Sequence, residues 1–153
     1  MNSELELVIA TRHGKKGFGE GLSDLGIEQA ESLADAIAEL LLLEQTVAVF
    51  SSPEARAVET AEIIAETLKV AYQVCDKLKY DEYSDGVEIM TELLSVVGVH
   101  QVLIAVTHSS APSGIINAFS MRYFQKKVRE ERAGNGDGCM LCLKTGKVTS
   151  RLV

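Results

Sequence analysis

Three near-continuous apolar runs, Leu5 to Ala10, Thr46 to Phe50 and Val102 to Thr107, constrain the fold of this chain more than any other feature. Strands of that kind have no polar face to give to solvent, so they must be covered on both sides. Stretches of helical period lie between them. After Ser23, a residue suited to cap a helix, Ala30, Leu33, Ala34, Ile37, Leu40 and Leu41 form one stripe. Ser52 as cap and Pro53 in the first helical position predict a second helix, with Ala57, Ala61, Ile64, Ala65 and Leu68 facing inward. Asp85 and Glu88 have the capping-box spacing ahead of Met90, Leu93, Leu94 and Val97, and Gly98 closes that segment. A fourth helix opens at Ser109-Ser110-Ala111-Pro112. Val70 to Cys75 reads as a peripheral strand, and Cys139 to Leu143 with Lys147 to Leu152, joined at Thr145-Gly146, as a terminal hairpin. The expected architecture is a three-layer α/β/α sandwich, with a mostly parallel central sheet and the hairpin closing one side.

Length and charge narrow the function. The 153 residues, 46% of them hydrophobic, fit one domain over residues 1–153. No apolar stretch approaches the ~20 residues of a membrane-spanning helix, and Met1-Asn2-Ser3-Glu4 lacks the basic start of a signal peptide, so a soluble cytoplasmic protein is expected. Cys75, Cys139 and Cys142, an odd set in such a chain, point to reduced thiols. A formal net charge of -7 disfavours a nucleic-acid surface. An anionic small substrate would need a local basic pocket.

The strand ends supply one. In a parallel sheet the C-terminal strand ends share an edge, where ligands bind. The first run leads to Arg12-His13, the second to Ser51-Ser52 with Arg56 a turn into the next helix, and the third to His108. Two arginines, two imidazoles and two helix N-termini at one edge suit a phosphoryl group, since guanidinium forks and helix-start N–H groups bind its oxygens. Gly14 is expected to turn the chain with φ > 0, letting both Arg12 and His13 serve one pocket.

These residues also carry a family resemblance. Thr11-Arg12-His13-Gly14 resembles the RHG signature of the histidine phosphatase superfamily, the phosphoglycerate-mutase-like fold. Leu22-Ser23-Asp24-Leu25-Gly26-Ile27-Glu28-Gln29-Ala30 is similar to its L-[ST]-x-x-G-x-x-Q-A helix start, and Ser52-Pro53-Glu54-Ala55-Arg56-Ala57-Val58-Glu59-Thr60-Ala61 to its S-P-x-x-R-A-x-x-T-A segment. Val106-Thr107-His108-Ser109 stands where that family has its second histidine. The short length is similar to the phosphohistidine phosphatase type. The resemblance implies that His13 takes the phosphoryl group as a phosphohistidine, that Arg12, Arg56 and His108 bind the transferring oxygens, and that neither metal nor cofactor is needed. Ser109 and Lys15 join the substrate-binding set. The expected substrate is a phosphohistidine protein or a small phosphate ester.

Two departures qualify that expectation. The family's acid for the leaving group lies after the third strand, where this chain reads Leu78-Lys79-Tyr80-Asp81-Glu82-Tyr83-Ser84-Asp85-Gly86 without the usual L-x-E-x-x-x-G pattern. Glu82 is favoured, Asp81 competes, and Asp85 serves better as a helix cap. Past the RHG signature the chain has Lys15 and Gly19, unlike the mutase members, so a phosphomutase is an alternative of lower rank. A catalytically silent phospho-ligand or phosphoprotein binding module is the alternative from another class.

Other residues have plainer readings. Arg56 on its own could pair with Glu59 or Glu62 along its helix, His100 follows Gly98 as a structural imidazole, and no close His spacing suggests a metal. Cys139 and Cys142, three apart in a strand, face opposite sides. The glycines from Gly14 to Gly21 fit no nucleotide-loop pattern and read as a mobile loop. Arg122, Lys126, Lys127, Arg129 and Arg132 read as a solvated face.

Overall fold

The computed structural model describes residues 4–79 and 85–153. Its strands are β1 (Leu7–Arg12), β2 (Val47–Ser51), β3 (Tyr72–Val74), β4 (Val102–Thr107), β5 (Gly138–Cys142) and β6 (Val148–Thr149). The helices are α1 (Asp24–Leu40), α2 (Ala55–Leu68), α3 (Gly86–Val96) and α4 (Ala111–Phe124), with a short 3-10 turn at Asp76–Leu78. The sheet order is β3-β2-β4-β1-β5-β6. The first four strands are parallel, and β5 and β6 continue the sheet antiparallel from β1.

Alternate residues of the central strands serve two cores. Val8, Ala10, Phe50, Leu103 and Ala105 pack under α3 and α4 with Leu93, Ile115 and Phe119. Leu7, Ile9, Val49, Ile104 and Val106 pack under α1 and α2 with Leu33, Ile37, Ala61 and Ile64. This is the three-layer α/β/α sandwich that the apolar runs require.

β1 and β2 run further toward the polar residues than their apolar runs do. Thr11 and Arg12 pair with Val106 and Thr107, and Ser51 pairs with Val106. The backbone has a partner strand on each side, so the ladder continues regardless of side-chain polarity. Ser23 caps α1, its hydroxyl accepting from Gly26 N–H at 3.0 Å, and Asp85 caps α3 by accepting from Val87 N–H at 2.8 Å. α2 corrects the expected start. Ser52 and Pro53 precede it, Glu54 is still extended at ψ 139°, and the helix begins at Ala55. The reason is local, because Ser52 N–H still donates to the Val106 carbonyl across the sheet at 3.0 Å.

Arg122, Lys126, Lys127, Arg129 and Arg132 are exposed, as a solvated face requires, while the backbone of the segment after α4 is strapped down. Ser113 Oγ donates to the Glu131 carbonyl and accepts from Glu131 N–H, Asn117 Oδ1 accepts from Val128 N–H, and Ser120 Oγ donates to the Lys126 carbonyl. Three polar residues at helical spacing thus strap residues 126–131 onto α4. The cysteines are free thiols, Cys75 and Cys139 buried and Cys142 half-buried. Among the described residues no helix is long and apolar enough to cross a membrane.

Candidate active site

The order β2-β4-β1 puts three strand ends side by side, and backbone bonds lock them. His13 N–H donates to the Thr107 carbonyl at 3.2 Å and Ser52 N–H to that of Val106, so His13, Ser52 and His108 meet at one edge. The His13 and His108 rings stand edge to face with centroids 5.0 Å apart. Arg12, His13, Lys15, Lys16, Glu54, Arg56, His108, Ser109 and Asn135 line an open pocket of about 410 Å³. The structure therefore brings together every sequence-predicted site residue except Glu82, which with its rival Asp81 lies outside the described residues.

His13 is held by both ring nitrogens. Nδ1 lies 2.6 Å from the Gly14 carbonyl, an acceptor only, so Nδ1 carries the proton. Nε2 is left with a lone pair and accepts from Arg56 Nε at 3.2 Å. Burial lowers the basicity of this ring, the Arg56 and Arg12 charges lower it further, and the Gly14 carbonyl opposes them. His108 is pushed down to about 4 by burial first, then by His13, Arg56 and Arg12, with Glu54 opposing. Both rings are neutral at pH 7. The Ser52 hydroxyl, expected as a helix cap, accepts from Glu54 N–H at 3.3 Å ahead of the helix and lies 2.7 Å from His108 Nε2, orienting that ring.

The arginines differ in what they touch. Arg12 Nη1 donates to the Ala133 carbonyl at 2.9 Å, while its Nε is buried with no partner. Burial lowers the Arg12 pKa first, followed by the charges of Arg132 and Arg56, yet a guanidinium stays a cation. No carboxylate among the described residues pairs with it. A half-buried cation beside a second cation, with its Nε buried and unpaired, favours an anion in the pocket. Arg56 does not pair with Glu59 or Glu62. Its Nη1 reaches Glu20 at 3.5 Å and Glu54 at 3.7 Å, while Glu59 accepts from Leu22 N–H and Glu62 from the Tyr72 hydroxyl.

The motif residues that carry no charge now acquire reasons. Thr60 Oγ1 accepts from Gly14 N–H and donates to the Arg56 carbonyl, tying the loop after His13 to the helix that carries Arg56. Gln29 accepts from Lys15 N–H at 2.8 Å. Gly14 corrects an expectation: it is not among the positive-φ glycines, which are Gly98, Gly136 and Gly146. Its requirement is space, since a Cβ there would fall on the Gly26 carbonyl oxygen, and one on Gly26 would fall on that of Lys15. The loop and the first turn of α1 touch backbone to backbone. The loop itself is tied at its stem, where Gly17 N–H donates to the Gly21 carbonyl and Ser23 N–H to that of Lys15.

Some pocket residues had no signal of their own in the sequence. Asn135 and the Ala133 carbonyl arrive through the strap on α4, whose only trace is the Ser113, Asn117, Ser120 spacing. A second groove of about 700 Å³ adjoins the pocket at Asn135 and holds neither imidazole. His100 Nδ1 lies 2.8 Å from the Val97 carbonyl, away from the site. Among the described residues no three His, Cys, Asp or Glu side chains gather as metal ligands.

Comparison with known proteins agrees with this geometry. The family model of the histidine phosphatase superfamily (branch 1) matches residues 9–86, over half of the chain. A structure from Agrobacterium tumefaciens, named after the phosphohistidine phosphatase SixA, is 16% identical and superposes with a TM-score of 0.67 over 97% of this chain and 98% of its own. The mycobacterial glucosyl-3-phosphoglycerate phosphatase Rv2419c is 15% identical, with a TM-score of 0.61 over 95% of this chain and 96% of its own. The protein histidine phosphatase SixA complexed with tungstate is 15% identical, with a TM-score of 0.61 over 94% and 93%. At these identities the structures speak for the fold. No curated protein sequence matches the chain. From the matched motifs and the sandwich that carries them, the chain belongs to the histidine phosphatase superfamily, branch 1, and is a phosphatase of the histidine type.

Proposed function

We propose that the protein hydrolyses a phosphohistidine protein or a small phosphate ester through a covalent phosphohistidine on His13, without a metal ion. The observation that carries this reading is the His13 ring. Its Nδ1–H is fixed on the Gly14 carbonyl and its Nε2 lone pair opens toward Arg56 in a pocket with an unfilled guanidinium donor. A neutral imidazole held in one tautomer is a nucleophile that needs no further activation.

In the first step Nε2 bonds to phosphorus as the bond to the leaving group breaks. Arg12 and Arg56 clamp the equatorial oxygens, with His108, Ser109 and Lys15 completing the shell. Positive charge that other phosphatases take from a metal comes here from guanidinium and ammonium groups. Arg56 Nε, now on Nε2, moves onto a phosphoryl oxygen. Glu82, or Asp81 in its place, donates the proton that an ester oxygen requires. Water then attacks the phosphohistidine, releases phosphate and restores His13. The names of the structural neighbours, a protein histidine phosphatase and a glucosyl-3-phosphoglycerate phosphatase among them, span both substrate classes.

The test is a pH profile of kcat/KM for phosphate release from an aryl phosphate in excess chelator. The rate should be unaffected by the chelator and hold below pH 6.5, the ordinary imidazole value, because the environment lowers the His13 pKa; it then falls as Nε2 takes a proton. Loss of turnover in chelator, or an acid limb centred above 6.5, contradicts the proposal.

A further inference from the structure

The pocket wall has an uneven charge. Arg12, Lys15, Lys16 and Arg56 are cations, and Glu54 is the one carboxylate among the described lining residues. A carboxylate on the wall of a phosphoryl site repels the dianion unless it faces another part of the substrate. Glu54 precedes α2 but its side chain caps no backbone N–H there, and what it faces instead are cations. Its oxygens lie 3.7 Å from Arg56 Nη1 and 3.5 Å from Lys79 Nζ. Both separations exceed the roughly 2.7–2.9 Å of a charge-assisted hydrogen bond, so acceptor capacity remains on each oxygen. The carboxylate is also near enough to His108 to oppose the loss of basicity that burial imposes there.

We propose that Glu54 is a specificity-determining residue: it accepts a hydrogen bond from the protonated ring nitrogen of a phosphohistidine substrate, and so favours a phosphoramidate over a phosphate ester. This rests on the phosphatase reading above and names its substrate class. A phosphoimidazole protonated on its second nitrogen carries positive charge while the phosphoryl group is attached. As His13 Nε2 bonds to phosphorus, the P–N pair of electrons stays on the departing nitrogen. The proton stays on the other nitrogen, and the ring leaves neutral. No acid has to deliver a proton in this step; the carboxylate keeps the second nitrogen protonated until the P–N bond breaks. An ester oxygen departs with negative charge, which the same carboxylate repels.

The experiment compares the full chain with Glu54→Gln, an isosteric change, on a peptide bearing one phosphohistidine and on p-nitrophenyl phosphate, with vanadate as a competitive inhibitor. The ratio of kcat/KM, phosphohistidine over ester, should fall about 10-fold in the variant, since the amide oxygen can still accept the ring N–H but no longer carries the charge that strengthens the bond. Vanadate should bind the variant more tightly, because one repelling charge is gone. An unchanged ratio overturns the proposal. So does an equal loss on both substrates with weaker vanadate binding, which would make Glu54 a positioning residue for Arg56. Turnover of the ester alone by the native chain also overturns it but leaves the phosphatase reading standing. Turnover of neither substrate removes both.

Discussion

Replacing His13 with alanine should lower phosphate release by at least about 10⁴-fold, the scale seen when a covalent nucleophile is removed. The expected loss is in kcat. Arg12, Arg56 and His108 remain in place, so vanadate should still inhibit whatever rate survives. The fold should tolerate the change, because the His13 side chain bonds only to the adjacent Gly14 carbonyl and to Arg56, and the strand end is held by its backbone bond to Thr107. Thermal unfolding within a few degrees of the native protein is the control. A variant that keeps more than a tenth of the native rate would remove His13 from the chemistry.

Gly26→Ala should have the largest effect on stability, and two principles disagree about its sign. Helix propensity alone favours alanine inside a helix by about 1 kcal/mol. The contact with the Lys15 carbonyl oxygen decides otherwise, since the new methyl group would occupy the same space. Backbone cannot yield as a flexible side chain does. The nucleophile loop must lift off α1, at about 1–3 kcal/mol for the overpacking. The bonds from Lys15 N–H to Gln29 and from Ser23 N–H to the Lys15 carbonyl weaken with it, at about 1 kcal/mol each. Less the propensity gain the net is about 2–4 kcal/mol, so unfolding should come roughly 4–16 °C lower, at about 2–4 °C per kcal/mol in a chain of this size. Activity should fall as well, because the loop carries Lys15 and begins at His13. A variant as stable as the native protein would mean that propensity wins and that the close approach is slack.

Much of this molecule is legible in its sequence because a doubly covered parallel strand leaves a plain signature. The runs ending near Ala10, Phe50 and Thr107 predict neighbouring strands, and neighbouring parallel strands bring His13, Ser52 and His108 to one edge. The misreadings come from pairing and space, which a one-dimensional pattern does not contain. β1 continues through Arg12 because β4 and β5 flank it. Ser52 looks like a cap, but the sheet holds its backbone and His108 takes its hydroxyl. Gly14 suggests a left-handed turn, whereas its demand is a backbone contact with a glycine twelve positions on. Glu54 drew no attention between a proline and an arginine helix, because its meaning depends on the cations gathered around it from other parts of the chain. The acid expected at Glu82 or Asp81 lies outside the described residues.

The central claim is that the phosphoryl group rests on His13 Nε2 between two steps. The direct measurement is to mix the protein with an aryl phosphate, quench in alkali, where a phosphohistidine survives, and locate the added phosphoryl group by mass spectrometry of the peptides. One phosphoryl group is expected on the peptide that carries His13, lost on brief acid treatment and absent from His13→Ala. Turnover at the native rate with no phosphorylated peptide under any quench, or with the phosphoryl group on His108, would contradict it.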